Sequence, residues 1–198
     1  MPVGLAQRRA GRKAAPRSLL TKCALFTKCI ADAPGCAMRC AMLLIIWHSR
    51  TGASRAMARA AHDAADGRAR LLAAADAQPE DLLRAAGYLF ACPENLGSLS
   101  GTMKELFDRC YYPLLGQIEG RPYASMIAAG SAGQGAQAQL DRIVTGWRLR
   151  RVADPLIAVL GAQSPQEIIA AKQVPPVILA RCAELGAALA EGLAQGIF

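Results

Sequence analysis

The 198-residue chain has no Cys-x-x-C pair and only two histidines, His48 and His62. Zinc ribbons and ferredoxin-type clusters need such pairs, so both are excluded, and no dedicated metal site is expected. Neither histidine reads as a ligand: His48 is a strand-end residue and His62 an exposed helical one. No cysteine is followed by arginine six positions on, which removes the phosphate loop of small tyrosine phosphatases. Long apolar runs are missing as well. The longest strongly apolar stretch, residues 42–47, falls far short of the ~20 residues of a membrane-spanning helix. Acids are scarce at one end only: residues 1–41 hold eight basic residues against a single acid, Asp32. The rest of the chain carries 15 basic groups against 14 acidic ones, so the overall charge of +8 gives no warrant for nucleic-acid binding.

What is there divides in two. The basic segment 1–41, with Cys23, Cys29, Cys36 and Cys40, has the composition of an organellar transit peptide. It reads equally as upstream sequence from a mis-assigned start, and both readings stay open. It is expected to be an unstructured leader ahead of one domain at 42–198. A hydrophobic fraction of 53% is ample for a core. The three cysteines of the domain, Cys92, Cys110 and Cys182, are scattered, as suits a reducing cytoplasm.

From residue 42 onward, short apolar runs alternate with helical patterns. Residues 42–47 read as a strand, and 53–66 as a helix with Met57, Ala60, Ala61 and Ala64 inward and Arg55, Arg59 and His62 outward. A short strand at 70–74 precedes a helix opened by Pro79. Residues 87–92 form a third buried run. Ser100 is placed to cap a helix whose inner face is Met103, Leu106, Phe107 and Cys110. A strand at 123–129, a helix at 134–145, an irregular strand at 149–156 and a long helix after Pro175-Pro176 complete the pattern. The Trp147 to Arg151 stretch suits either the phosphates of a nicotinamide cofactor or a solvated edge strand, and the edge strand is the reading adopted. Strands and helices alternating without hairpin signals predict a five-stranded doubly wound α/β sheet with helices on both faces.

In such folds ligands bind at the carboxyl ends of the strands, so three loops matter. His48-Ser-Arg-Thr-Gly-Ala-Ser54 lacks the glycines of a dinucleotide fingerprint and the Gly-Lys of a Walker loop. It offers three hydroxyls (Ser49, Thr51, Ser54), the flexible Gly52, and the amides of Ala53 and its neighbours at a helix start. That set suits one phosphate as well as it suits an ordinary capped strand-to-helix turn, with Arg50 facing solvent. The second loop, Pro93-Glu-Asn-Leu-Gly-Ser-Leu-Ser-Gly101, is longer than a bare connection requires. The third, Ala129-Gly-Ser-Ala-Gly-Gln-Gly135, contributes Gly130, Ser131, Gly133 and Gln134.

Ser49-Arg-Thr-Gly-Ala-Ser54 resembles the phosphate loop of flavodoxin-like proteins. Pro93 to Gly101, followed by Met103-Lys104 and Phe107-Asp108-Arg109, is similar to the flavin-ring loop of flavodoxin-like NAD(P)H-dependent FMN and quinone reductases. The resemblance spans residue 42 to about the carboxyl end. It implies the sheet order 2-1-3-4-5, FMN as cofactor and NAD(P)H as co-substrate. It also implies a flat ring held by Pro93, Glu94, Asn95, Leu96, Gly97 and Ser98, with the third loop closing over its edge. Because the flavin carries the chemistry, no side-chain nucleophile is expected. The absence of aromatics in residues 93–101 favours a reductase with an open ring face over an electron carrier, and the resemblance implies a quinone-like acceptor. A carrier or a non-catalytic FMN-binding module remains the alternative. A response-regulator receiver is excluded, because His48, Ser49 and Cys92 stand where its acids belong. Family members pair, so a homodimer is expected, and Tyr111-Tyr112-Pro113 could wall a shared pocket or pack on its own domain.

Overall fold

The structure, a computed structural model, describes residues 42–162 and 164–198. The expectations for the leader at 1–41 lie outside the described residues. In chain order the elements are β1 (Leu43–Trp47), α1 (Ala53–Ala64), β2 (Ala69–Ala73), α2 (Pro79–Arg84), β3 (Gly87–Asn95), β4 (Ser98–Leu99), α3 (Gly101–Leu114), β5 (Pro122–Ala129), α4 (Gln134–Gly146), β6 (Arg150–Arg151), β7 (Leu156–Val159), α5 (Pro165–Ile169) and α6 (Pro176–Ala194).

The continuous apolar runs become central strands because both faces of the sheet are covered. β1 lies between β2 and β3, all parallel, with Ile45 opposite Leu71 on one side and Leu89 on the other. β5 continues the sheet beyond β3, and Phe90 faces Ser125 across that pair. Alternation along β1 splits the core in two. Leu43 and Ile45 pack with Met57, Ala58 and Ala61 of α1 and with Cys182 and Leu189 of α6. Leu44 and Ile46 pack on the other face with Leu82, Met103, Leu106, Phe107 and Leu140, from α2, α3 and α4. The expected doubly wound architecture is present, with its 2-1-3 order continued by β5 and then β6.

Two features differ from the expectation. The second loop is largely a β-hairpin: β3 runs on to Asn95 and pairs antiparallel with β4, Glu94 opposite Leu99 and Asn95 opposite Ser98. Its two-residue turn places both Leu96 (φ 52°) and Gly97 (φ 69°) in the left-handed region. Such primed turns normally announce themselves through Asn-Gly or Asp-Gly, and Leu-Gly carries no such signal. The fifth strand, expected at 149–156, is divided. β6 pairs with the start of β5 at Pro122 and Tyr123, whereas β7 pairs with its end from Met126 to Ala129. Pro155 stands between the two pieces, where a backbone N–H would be needed to continue the ladder.

The division settles the Trp147 to Arg151 stretch. Arg150 and Arg151 are exposed on the edge at the amino end of β5, away from the loops at its carboxyl end. Trp147 is buried, donates its indole N–H to the Tyr111 carbonyl at 3.1 Å, and stacks on the Tyr111 ring. Tyr111 therefore packs on its own domain, while Tyr112 is 80% exposed.

Candidate functional site

The parallel register brings the carboxyl ends of β1, β3 and β5 to one edge, where a cavity of about 150 Å³ opens. Its walls come from Ser49, Arg50, Thr51, Ala53 and Ser54 after β1, Pro93, Glu94 and Asn95 at the end of β3, and Ala128, Ala129 and Gly130 at the end of β5. Leu160, Ala162, Ile168, Ile169 and Lys172 complete it.

The first loop turns sharply because Gly52 adopts φ 94° at the start of α1, and its N–H donates to Ser49 Oγ at 3.0 Å. The opening amides of a helix have no intrahelical acceptor, so α1 presents donors here. Ser54, in that first turn, is 1% exposed, and its Oγ has no hydrogen-bond partner. A buried hydroxyl without a partner is costly, and this one stands in the cavity wall. Thr51 is half-buried, and Arg50 is exposed while still lining the cavity.

The second loop is clasped to the third. The Glu94 carboxylate accepts from the Gly133 N–H at 2.7 Å and the Ala136 N–H at 3.1 Å, capping the start of α4 with negative charge. Ser98 Oγ and the Leu99 N–H both donate to Gln139 Oε1 at 2.8 Å. Gly135 allows the hairpin to sit this close: a Cβ there would stand 2.1 Å from the Gly97 carbonyl oxygen. Gly133 has φ 97°, and a Cβ on it would meet Ile157 at 2.4 Å.

The structure therefore gathers part of the expected set. Ser49, Arg50, Thr51, Ala53, Ser54, Pro93, Glu94, Asn95 and Gly130 line the cavity. Gly52 shapes its rim. Leu96 is fully exposed at the hairpin tip, Ser98 and Gly133 are engaged with α4 and β7, and Gly97, Ser131 and Gln134 are exposed outside the lining. Ser100 begins α3 as expected but does not cap it; its hydroxyl pairs with His48 Nδ1 at 2.8 Å. Burial, and then the nearby Arg50 charge, hold the His48 ring below the ordinary histidine range. Sequence reasoning missed Leu160, Ala162, Ile168, Ile169 and Lys172, whose stretch shows neither a 2.0 nor a 3.6 period. The thiol of Cys92 is pushed up to about 12 by burial, so it offers no nucleophile beside the site. Among the described residues, no helix is long and apolar enough to cross a membrane.

Comparison with known proteins agrees with this fold. A family model described as NADPH-dependent FMN reductase matches residues 59–162. A flavodoxin of Aquifex aeolicus is 31% identical over 107 residues, which amount to 52% of this chain and 58% of that protein. The match thus spans somewhat more than half of the relative's length. Among solved structures, a flavodoxin from the domain Archaea superposes with a TM-score of 0.62 at 14% identity, covering 77% of this chain and 99% of that one. A flavodoxin, WrbA-like protein from Agrobacterium tumefaciens superposes with a TM-score of 0.58 at 20% identity, covering 77% and 97%. At these identities the likeness is one of fold.

Proposed function

The chain belongs to the NADPH-dependent FMN reductase family, within the flavodoxin-like FMN-binding proteins, and from that premise we propose that it binds FMN in the cavity and passes hydride from NADH or NADPH to a quinone-like acceptor. The observation that carries the reading is the buried, partnerless Ser54 hydroxyl beside the α1 amino terminus. A hydroxyl left so is satisfied by a ligand acceptor, and a phosphate at a helix start is the acceptor that this set fits.

Bound FMN supplies the redox chemistry, so the side chains bind and orient. Ser49, Thr51 and Ser54 donate to the phosphate. Pro93 and Asn95 offer backbone and amide contacts to the ring edge, and Glu94 holds the hairpin carrying them against α4. No aromatic stands in residues 93–101 or 129–135, so the ring face is left for nicotinamide and acceptor to stack in turn. We place this activity in the cytoplasm and in a homodimer, with the exposed Tyr112 at the subunit contact.

The identity to the Aquifex aeolicus flavodoxin supports a second reading, an electron carrier. One experiment separates the two. The purified protein is expected to show a flavin absorption band that NADPH bleaches anaerobically. A flavin reduced by dithionite but left oxidised by NADPH would support the carrier, and a protein that binds no flavin would remove both readings.

A further inference from the structure

The segment between β7 and α6 lies across the phosphate loop rather than merely connecting two elements. Three backbone bonds fix it: Leu160 N–H to the Ala129 carbonyl at 2.8 Å, Ala162 N–H to the Gly130 carbonyl at 3.2 Å, and Lys172 N–H to the Thr51 carbonyl at 2.8 Å. Within it, α5 is closed by a reciprocal cap. Ser164 Oγ accepts from the Glu167 N–H, and the Glu167 carboxylate accepts from the Ser164 N–H. Ile168 and Ile169 line the cavity although 54% and 74% exposed. Lys172 lines it too, carried by a backbone bonded to the very residue that should contact phosphate.

We infer that residues 164–172 form a cofactor-holding strap in which the Lys172 ammonium binds the cofactor phosphate, a task that the hydroxyls and amides of the first loop otherwise perform without a buried charge. This inference rests on the FMN reading. Lys172 Nζ donates to the Glu167 carbonyl, a neutral acceptor. A phosphate dianion forms the stronger, charge-assisted bond, and the flexible lysine stem lets Nζ turn to it.

The test uses the full chain stripped of flavin and titrated by fluorescence with FMN and with riboflavin, which lacks the phosphate. Lys172→Met is expected to raise the FMN Kd about tenfold while leaving the riboflavin Kd unchanged. Lys172→Arg should restore most of the loss, and FMN affinity should fall less steeply with salt in Lys172→Met than in the native chain. Equal weakening of both flavins would make the strap a packing element and overturn the inference. Unchanged FMN affinity and salt dependence would overturn it while leaving the FMN reading intact. A native chain that binds neither flavin would remove the FMN reading itself.

Discussion

Ser54 carries an unmet hydrogen bond inside the protein, and that makes it informative in two directions. Removing a buried unsatisfied hydroxyl relieves a desolvation cost of about 1–3 kcal/mol, part of which a small cavity takes back. Ser54→Ala is therefore expected to raise the flavin-free unfolding free energy by about 1 kcal/mol in urea while weakening FMN binding about tenfold. A variant that loses stability and keeps its FMN affinity would show that Ser54 serves the fold. His48 makes a second prediction at this scale. Burial and Arg50 lower its folded pKa beneath the ordinary value, so between the two values the unfolded chain binds a proton that the folded chain does not. Stability is then undiminished above about pH 6.5 and falls as the pH drops through that value toward the folded pKa. His48→Gln retains a polar group toward Ser100 without titrating, and its unfolding free energy should vary less with pH across that interval. Equal slopes in native and variant proteins would show that other groups set the acid limb.

At the scale of elements, the site depends on one hairpin held against one helix start. Glu94 satisfies two amides at the beginning of α4, and losing such a cap costs about 0.5–2 kcal/mol. Glu94→Ala should lose about that much and speed hydrogen exchange at residues 94–99 and 133–136 more than elsewhere. Uniform exchange would mean that Gln139 and the Gly135 contact hold the hairpin without it. This clasp also marks the limit of what the sequence disclosed. The central strands and α1, α3, α4 and α6 were legible, because continuous apolar runs and 3.6-residue stripes follow directly from burial on one or both faces, whereas the strand order came with the resemblance. The first loop's place in the cavity wall was legible because hydroxyls, a glycine and a helix start lie in consecutive positions. Three features were not. The Leu96-Gly97 turn lacks the residues that advertise positive φ. The Glu94 pairing joins positions 39 and 42 residues apart. Leu160, Ala162 and Lys172 are tied to Ala129, Gly130 and Thr51 by backbone bonds, which leave no periodic trace.

At the scale of the whole molecule, the question is whether residues 42–198 suffice. Met42 already takes part in the domain, its carbonyl accepting from the Ala86 N–H at 3.0 Å, and the Leu43 N–H donates to the Arg68 carbonyl at 3.0 Å. β1 is hydrogen-bonded on both sides, so an interior strand of the sheet begins immediately after residue 42. Among the described residues, one core cluster runs from Leu43 to Ala190 on one face of the sheet and the other from Leu44 to Leu149 on the opposite face. A protein beginning at Met42 is therefore expected to unfold cooperatively, to bind FMN with the affinity of the full chain, and to elute far earlier from a cation exchanger, since most of the +8 charge is carried by residues 1–41. Light scattering on the same protein tests the assembly: Tyr112 and Leu115, 80% and 50% exposed at the end of α3, are placed to meet a second copy. A dimer whose NADPH oxidation falls on dilution supports a contact of this kind completing the site. A monomer active at every concentration would confine the site to one chain, and a protein beginning at Met42 that fails to fold would show that the domain extends into the preceding residues.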